Sequence, residues 1–228
     1  MVEVSHIRKR YGKKVVLDDV TFTVSPGECV TIIGKNGSGK STLLKILAGV
    51  IRSESGSFTF YKESRPSVRS QFCGYVPQEN PLLEQLSVKD NLFLWGGKDA
   101  VKQRRILEDF QLQEYLQTPV ERLSGGMKRR LSIACALIKN PPVLLMDEPT
   151  ASLDFYYKEH LANWMKSYQR MNGSVIMSTH DQLEIMNADR CLLLENGKIT
   201  ELKKEELTAD TVKKFIYENY MGNTEEKI

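Results

Sequence analysis

The sequence predicts an α/β fold with a mostly parallel core sheet, an antiparallel β part beside it and an inserted helical segment. Three observations predict this. Short apolar runs of strand type alternate with helical patterns from Cys29 to Ser178, the arrangement that builds parallel sheets covered by helices. Val20-Thr-Phe-Thr-Val24 alternates with period two, and Glu195-Asn-Gly-Lys198 sits between two apolar runs; both mark antiparallel pairing. From Ser87 to about Ile138 the pattern is helical throughout, a long helical stretch inside a βα chain.

Each element follows in order. Pro26-Gly27 is a turn, Cys29-Val-Thr-Ile-Ile33 a short strand, and Lys40 to Val50 has apolar residues at helical spacing after a run of glycines. Strand-like pieces recur at Ser57–Tyr61 and Cys73–Val76. Ser87 and Asp90 form a capping-box-like start to SVKDNLFLW, and VKQRRILEDF continues the helical stretch. Pro141-Pro142 breaks the chain before a buried strand over Val143–Met146. A helix over about Tyr156–Met171 and a strand over Ser174–Ser178 come next, and Ala209 to Tyr220 is helical in pattern. The expected division is one domain: a core of residues 1–78 and 141–203, a helical subdomain over 79–140, and a tail over 204–228.

Composition narrows the classes. The chain has 228 residues, 41% hydrophobic and 27% charged, which is ordinary for a globular domain. Lys and Arg number 32 against 29 Asp and Glu, a net +3, so slight an excess that no nucleic-acid or membrane-surface partner is expected. The dense basic cluster Lys128-Arg-Arg130 is expected as a solvated helix face. Cys29, Cys73, Cys135 and Cys191 stand far apart with no C-x-x-C pair, and His6, His160 and His180 add no zinc pattern; buried thiols are expected. The start MVEVSHIRKRYGKK has no apolar h-region, and apolar runs reach about five residues where about 20 are needed to span a bilayer. A cytosolic chain is expected, unless a partner holds it at a membrane.

Gly34-Lys-Asn-Gly-Ser-Gly-Lys40-Ser41 fits G-x-x-x-x-G-K-[ST] between a strand and a helix. The chemistry needs backbone N–H groups turned inward around phosphate, a path open to Gly34, Gly37 and Gly39 because they lack Cβ. The helix beginning at Lys40 adds its positive end. Lys40 supplies a point charge for the β- and γ-phosphates, and the Ser41 hydroxyl a ligand for Mg²⁺. Asn36, Ser38 and Thr42 complete the cradle. Chance would produce the four fixed positions in roughly one chain of this length in a hundred, before its flanks are counted. Two more strand ends join it. Asp147 and Glu148 end the Val143 strand, Asp147 to hold Mg²⁺ and Glu148 to polarise an attacking water. His180 follows the Ser174 strand and would contact the γ-phosphate.

Leu123-Ser-Gly-Gly-Met127, opening a helix upstream of that acid pair, separates this chain from kinases and GTPases. It resembles the L-S-G-G-Q signature of ABC ATPases, with Met127 in place of Gln, and the resemblance runs from roughly Val2 to Leu202. It implies further roles. Tyr11 matches the aromatic that stacks on adenine, Gln78 the Q-loop residue that senses Mg²⁺, Ser152-Leu-Asp154 the D-loop, and His180 the switch histidine. In ABC ATPases the signature of one chain completes the neighbour's phosphate site, so Ser124, Gly125 and Gly126 would act in trans, with Asp154 at the dimer interface.

The resemblance implies an ATP-hydrolysing transporter subunit that works as a homodimer or with a related cassette. Its permease would be a separate polypeptide holding it peripherally at the cytoplasmic face. Phe72, Pro77, Leu82, Leu83, Leu86 and Phe93 are candidates for the docking patch. The stretch LSGGMKRRLSIACALIKNPPVLLMDEPTASLD looks most like bacterial drug and sodium-ion exporters, so export is favoured over import. The alternative is a soluble ABC ATPase of cytosolic assembly, such as iron–sulfur cluster assembly. DNA-repair and translation members are disfavoured, since their long coiled coils or second cassette are missing.

Overall fold

The computed structural model describes residues 1–64, 69–97, 100–203, 205, 207 and 208; the predicted helix over 209–220 lies outside them. The strands are β1 (Val2–Tyr11), β2 (Lys14–Val24), β3 (Cys29–Ile33), β4 (Ser55–Phe60), β5 (Cys73–Val76), β6 (Val143–Asp147), β7 (Ser174–Ser178), β8 (Arg190–Glu195) and β9 (Lys198–Leu202). The α-helices are α1 (Lys40–Leu47), α2 (Arg69–Phe72), α3 (Val88–Gly96), α4 (Ala100–Asp109), α5 (Gly125–Leu137), α6 (Phe155–Arg170) and α7 (Gln182–Asn187).

Six strands form one sheet in the order β5-β6-β7-β3-β8-β9, parallel except for β9, which pairs antiparallel with β8. Every residue of β3, β6 and β7 is buried. Both faces of these strands are covered, which is why they read as unbroken apolar runs. On one face, Leu43, Leu44, Ile46 and Leu47 of α1 share a core with Val30, Leu145 and Ile176. On the other, Leu131 of α5 and Leu161 and Met165 of α6 pack with Leu144, Met146 and Met177.

A second, antiparallel sheet has the order β2-β1-β4, and its buried Val2, Val4, Val20 and Phe60 join the same core as α1. The sequence reading missed β1. His6 takes φ 55 and the register with both neighbours slips between Val4 and Ile7 or Ser5 and Arg8. That bulge moves Ile7 to the buried face and breaks the period of two. At the predicted hairpin, Asn196 and Gly197 take φ 50 and 77, the left-handed pair that a two-residue turn demands. Asp18 N–H donates to Gly197 O at 2.7 Å, tying the second sheet to the first.

The helix ends follow local chemistry. Asp90 N–H donates to Ser87 Oγ at 3.1 Å and Ser87 N–H to Asp90 Oδ2 at 3.3 Å, closing the predicted capping box. Helix α1 stops at Leu47, short of the predicted Val50, because Gly49 at φ 75 turns the chain and its N–H closes onto Ile46 O. Gly56 shows how tightly β4 meets β1. It sits at φ +84, and a Cβ there would stand 2.3 Å from His6 O and 2.6 Å from Ile7 N. Gly56→Ala is therefore expected to cost about 2–4 kcal/mol of stability. Thermal melts read this directly, and a variant melting with the wild type would refute the steric account.

Candidate active site

Strands β5, β6, β7 and β3 are neighbours, and in a parallel sheet their carboxyl ends share one edge. Just past those ends come Gln78, Glu148, His180 and Gly34. That is where open α/β sheets bind ligands.

The loop from Gly34 to Gly39 turns through φ 151, 77 and 111 at its three glycines. At Gly39 a Cβ would stand 2.8 Å from Val16 Cγ1. Lys40, 6% exposed, donates from Nζ to Gly34 O at 2.7 Å and Lys35 O at 3.2 Å. Burial lowers its pKa, and the charges of Glu148 and Asp147 pull the other way. The ammonium is thus held by carbonyl oxygens of the loop itself.

A cleft of about 620 Å³ opens over this loop. Tyr11, Lys14 and Val16 line it from the second sheet; Asn36, Gly37 and Gly39 to Thr42 line it from the loop and α1; Gln78, Glu148 and His180 line it from the strand ends. Gln78 Nε2 donates to Glu148 Oε2 at 3.3 Å. His180 Nε2 stands 3.5 Å from Glu148 Oε1 and forms no hydrogen bond among the described residues. Burial, then the charge of Lys40, holds the His180 pKa below its ordinary 6.5, so the ring is neutral at pH 7. Asp147, 2% exposed, accepts from Ser178 Oγ. Tyr11 is half-exposed, with Lys9 Nζ over its ring at 5.5 Å.

The structure therefore brings together Tyr11, Asn36, Gly37, Gly39, Lys40, Ser41, Thr42, Gln78, Glu148 and His180; Gly34, Ser38 and Asp147 adjoin them in the chain and do not line the cleft. It does not bring Ser124, Gly125, Gly126 or Asp154 to this cleft. Ser124 caps α5, accepting from Met127 N–H at 3.2 Å, and Gly126 lies against Ser152, whose carbonyl oxygen would be 3.3 Å from an added Cβ. Asp154 caps α6, accepting from Tyr157 N–H at 3.0 Å.

Two features were not foreseen. Lys14 and Val16 join the cleft through a contact between sheets, which no local pattern announces. The cluster Lys128-Arg-Arg130 is not a solvated face: Arg129 and Arg130 are 2% and 7% exposed. Arg130 lies over the Tyr157 ring at 3.9 Å, and only Lys128 reaches an outer partner, Glu84 at 2.6 Å. Helix α5 buries residues on all its sides from Arg129 to Leu137. The signal was the all-round apolar LSIACAL that follows the arginines.

The cysteines fit the expectation of inert thiols in part. Cys29, Cys135 and Cys191 are buried and Cys73 partly so; burial pushes Cys29 and Cys135 up to about 12. Glu184 is also buried, accepting from Thr179 Oγ1. Burial pushes its carboxyl from 4.5 up to about 7. The native state keeps a proton that the unfolded chain releases above pH 4.5, so this contribution is full below that value and is lost as pH rises through 7. Glu184→Gln should thus gain stability over wild type at pH 8, on the order of 3 kcal/mol at most, and lose the gain near pH 4.5. Melts at the two pH values check it, and equal stability at pH 8 would remove the buried proton from the account.

A strand–loop–helix phosphate cradle with an acid pair two strands away on the same sheet edge places the protein among the P-loop nucleoside triphosphatases. The family model described as ABC transporter matches residues 17–151, and the chain belongs to that family. Over 99% of its length it is 34% identical to the Nod factor export ATP-binding protein I of Sinorhizobium fredii, covering 69% of that protein. It is 35% identical to a sulfate/thiosulfate import ATP-binding protein of Xanthomonas campestris, over 95% of this chain and 68% of the other. A solved dimeric ATP-binding cassette in a post-hydrolysis state, bound to ADP and Pi, superposes with a TM-score of 0.81 at 26% identity, over 90% of this chain and 99% of that one. The chain is an ATP-binding, ATP-hydrolysing subunit of an ABC transporter. Relatives of this kind do not favour the alternative of a soluble assembly ATPase.

Proposed function

We propose that two cassettes, this chain with itself or with a related one, close head to tail around two ATP molecules and drive export through a separate membrane permease. One observation carries this reading. The cleft gathers the loop, Glu148 and the histidine, while Ser124 and Gly125 sit exposed at the start of α5, outside it. A serine and two glycines at a helix N-terminus form a second anion site, and within one chain it meets no phosphate. A neighbour's nucleotide supplies one.

In this reading Tyr11 stacks on adenine, and the backbone from Gly34 to Gly39 with Asn36, Ser38 and Thr42 cradles the phosphates. Lys40 holds the β- and γ-oxygens. Glu148 takes up the proton of an attacking water, Gln78 orients it, and neutral His180 donates towards the γ-phosphate. Asp154 lies at the dimer interface. The Ser41 hydroxyl, the Gln78 amide oxygen and the buried Asp147 carboxylate are hard oxygen donors of the kind Mg²⁺ prefers. When bound with ATP, Mg²⁺ supplies charge neutralisation across the β- and γ-phosphates.

Residues 79–140 act as the signature-bearing helical subdomain and 1–78 with 141–203 as the core. A groove of about 550 Å³ lined by Val50, Tyr75, Pro77, Pro81 and Trp95 suits permease docking, and Leu83, Leu86 and Phe93 are exposed as docking residues need. Phe72, stacked on Tyr61 at 6.3 Å, and Leu82, packed against the core, are partly buried and offer less apolar surface. Among the described residues no helix is long and apolar enough to cross a membrane, so the permease would hold the chain at the cytoplasmic face. Export draws support from the Nod factor relative and from Met127 where amino-acid and sugar importers more often carry Gln.

The test is a pull-down from gently solubilised native membranes, with tagged Glu148→Gln chain and ATP. A stoichiometric multi-span membrane protein is expected, and flux through that pair reports direction. Recovery of the chain alone, or with soluble factors only, would remove the permease from the reading.

A further inference from the structure

We propose that Arg129 is the positioning residue that sets Glu148 and Gln78 for hydrolysis and ties both to the helix carrying Ser124, Gly125 and Gly126. This rests on the reading of Glu148 as the hydrolytic carboxylate.

Arg129 lies one turn into α5 and is 2% exposed. Its guanidinium spans two loops. Nε donates to Pro149 O at 3.0 Å, and Nη2 to Asp147 O at 2.6 Å and Glu148 O at 2.8 Å. On the other side Nη1 donates to Pro77 O at 2.5 Å, with longer reaches to Gln78 O at 3.4 Å and Asn80 Oδ1 at 3.5 Å. A planar fork with five N–H donors can serve both loops at once; an ammonium presents a point charge and three donors.

The loop it grips is strained where function needs it. Glu148 takes φ 50, a left-handed conformation disfavoured for any residue with a side chain. Such a conformation persists when neighbours hold it. The Glu148 N–H donates to Ser178 O at 3.0 Å from one side, and Arg129 holds the Glu148 carbonyl from the other. With the backbone fixed, the carboxylate faces Gln78 Nε2 at 3.3 Å and His180 Nε2 at 3.5 Å. Arg129 itself does not line the cleft. It acts through the backbone of the residues that do, and any shift of α5 is felt at Glu148 and Gln78 together.

Full-length Arg129→Lys and Arg129→Gln would be compared with wild type for binding of a fluorescent ATP analogue at concentrations where the chain is monomeric, for kcat and KM, and for melting temperature. Loss of several charge-assisted bonds should lower kcat by about tenfold or more in Arg129→Lys, and further in Arg129→Gln. Monomer binding of the analogue should change by less than about threefold, because the phosphate loop does not touch Arg129. Wild-type kcat in the folded variants overturns the proposal. So does a loss of nucleotide affinity as large as the loss of kcat, or failure of both variants to fold, either of which leaves Arg129 a framework residue. A wild-type chain that turned over no ATP, or kept its turnover after Glu148→Gln, would instead defeat the reading of Glu148.

Discussion

Glu148→Gln should lose roughly a thousandfold in ATP turnover, within the range general-base catalysis contributes, while still binding ATP and accumulating as a nucleotide-locked dimer. The amide is nearly isosteric with the carboxylate. It keeps its place beside Gln78 Nε2 and His180 Nε2, 3.3 and 3.5 Å away in the wild type. It cannot take up a proton from water. Neutral His180 does not replace it as base, because burial and the nearby Lys40 disfavour its protonated form. Removing one negative charge beside the γ-phosphate also weakens the repulsion that ATP meets. Phosphate release and size-exclusion chromatography with ATP measure the two halves. A variant that neither dimerised nor lost turnover would sink the assignment.

Two dead chains should make one working site when mixed. Lys40→Met removes the ammonium that Gly34 O and Lys35 O now hold, and should cost its own site at least about a hundredfold, as loss of a preorganised charge does. Gly126→Asp puts a carboxylate at the mouth of the α5 anion site, beside Ser152. It leaves the chain's own cleft intact and should spoil only the site of its partner. In a heterodimer, the cleft of the Gly126→Asp chain meets the intact signature of the Lys40→Met chain. Random pairing of equal amounts should therefore restore about a quarter of wild-type turnover if the sites act independently. Neither chain alone should show it. A mixture as inactive as its parts, with both chains folded, would mean that Ser124, Gly125 and Gly126 do not serve a neighbour.

Much of the fold was legible because its central strands obey simple rules. The strands β5 and β7 fall on the predicted Cys73–Val76 and Ser174–Ser178, since short apolar runs between turn signals leave little freedom. Strand β1 was not legible, because a bulge at His6 hides its alternation. Short α7, capped by Asp181 through the N–H groups of Leu183 and Glu184, has too few residues to show a period. The phosphate cradle was readable from spacing alone. The wall of Lys14 and Val16 was not, as it depends on how two sheets meet. Arg129 was misread because charge was weighed on its own helix turn, whereas its environment comes from loops far along the chain at Pro77 and Asp147.

The cleft takes its walls from two sheets that share no strand. Adenine would rest on Tyr11 of the smaller sheet and the triphosphate on the loop that leaves the larger. A nucleotide bound in that way would work as a splint between the two sheets, added to the core they share. Free energy of binding becomes resistance of the two halves to coming apart, through mass action on the joined state. Inorganic triphosphate, which cannot reach the Tyr11 side, would brace one half alone. On this footing the intact nucleotide should raise the melting temperature more than inorganic triphosphate does.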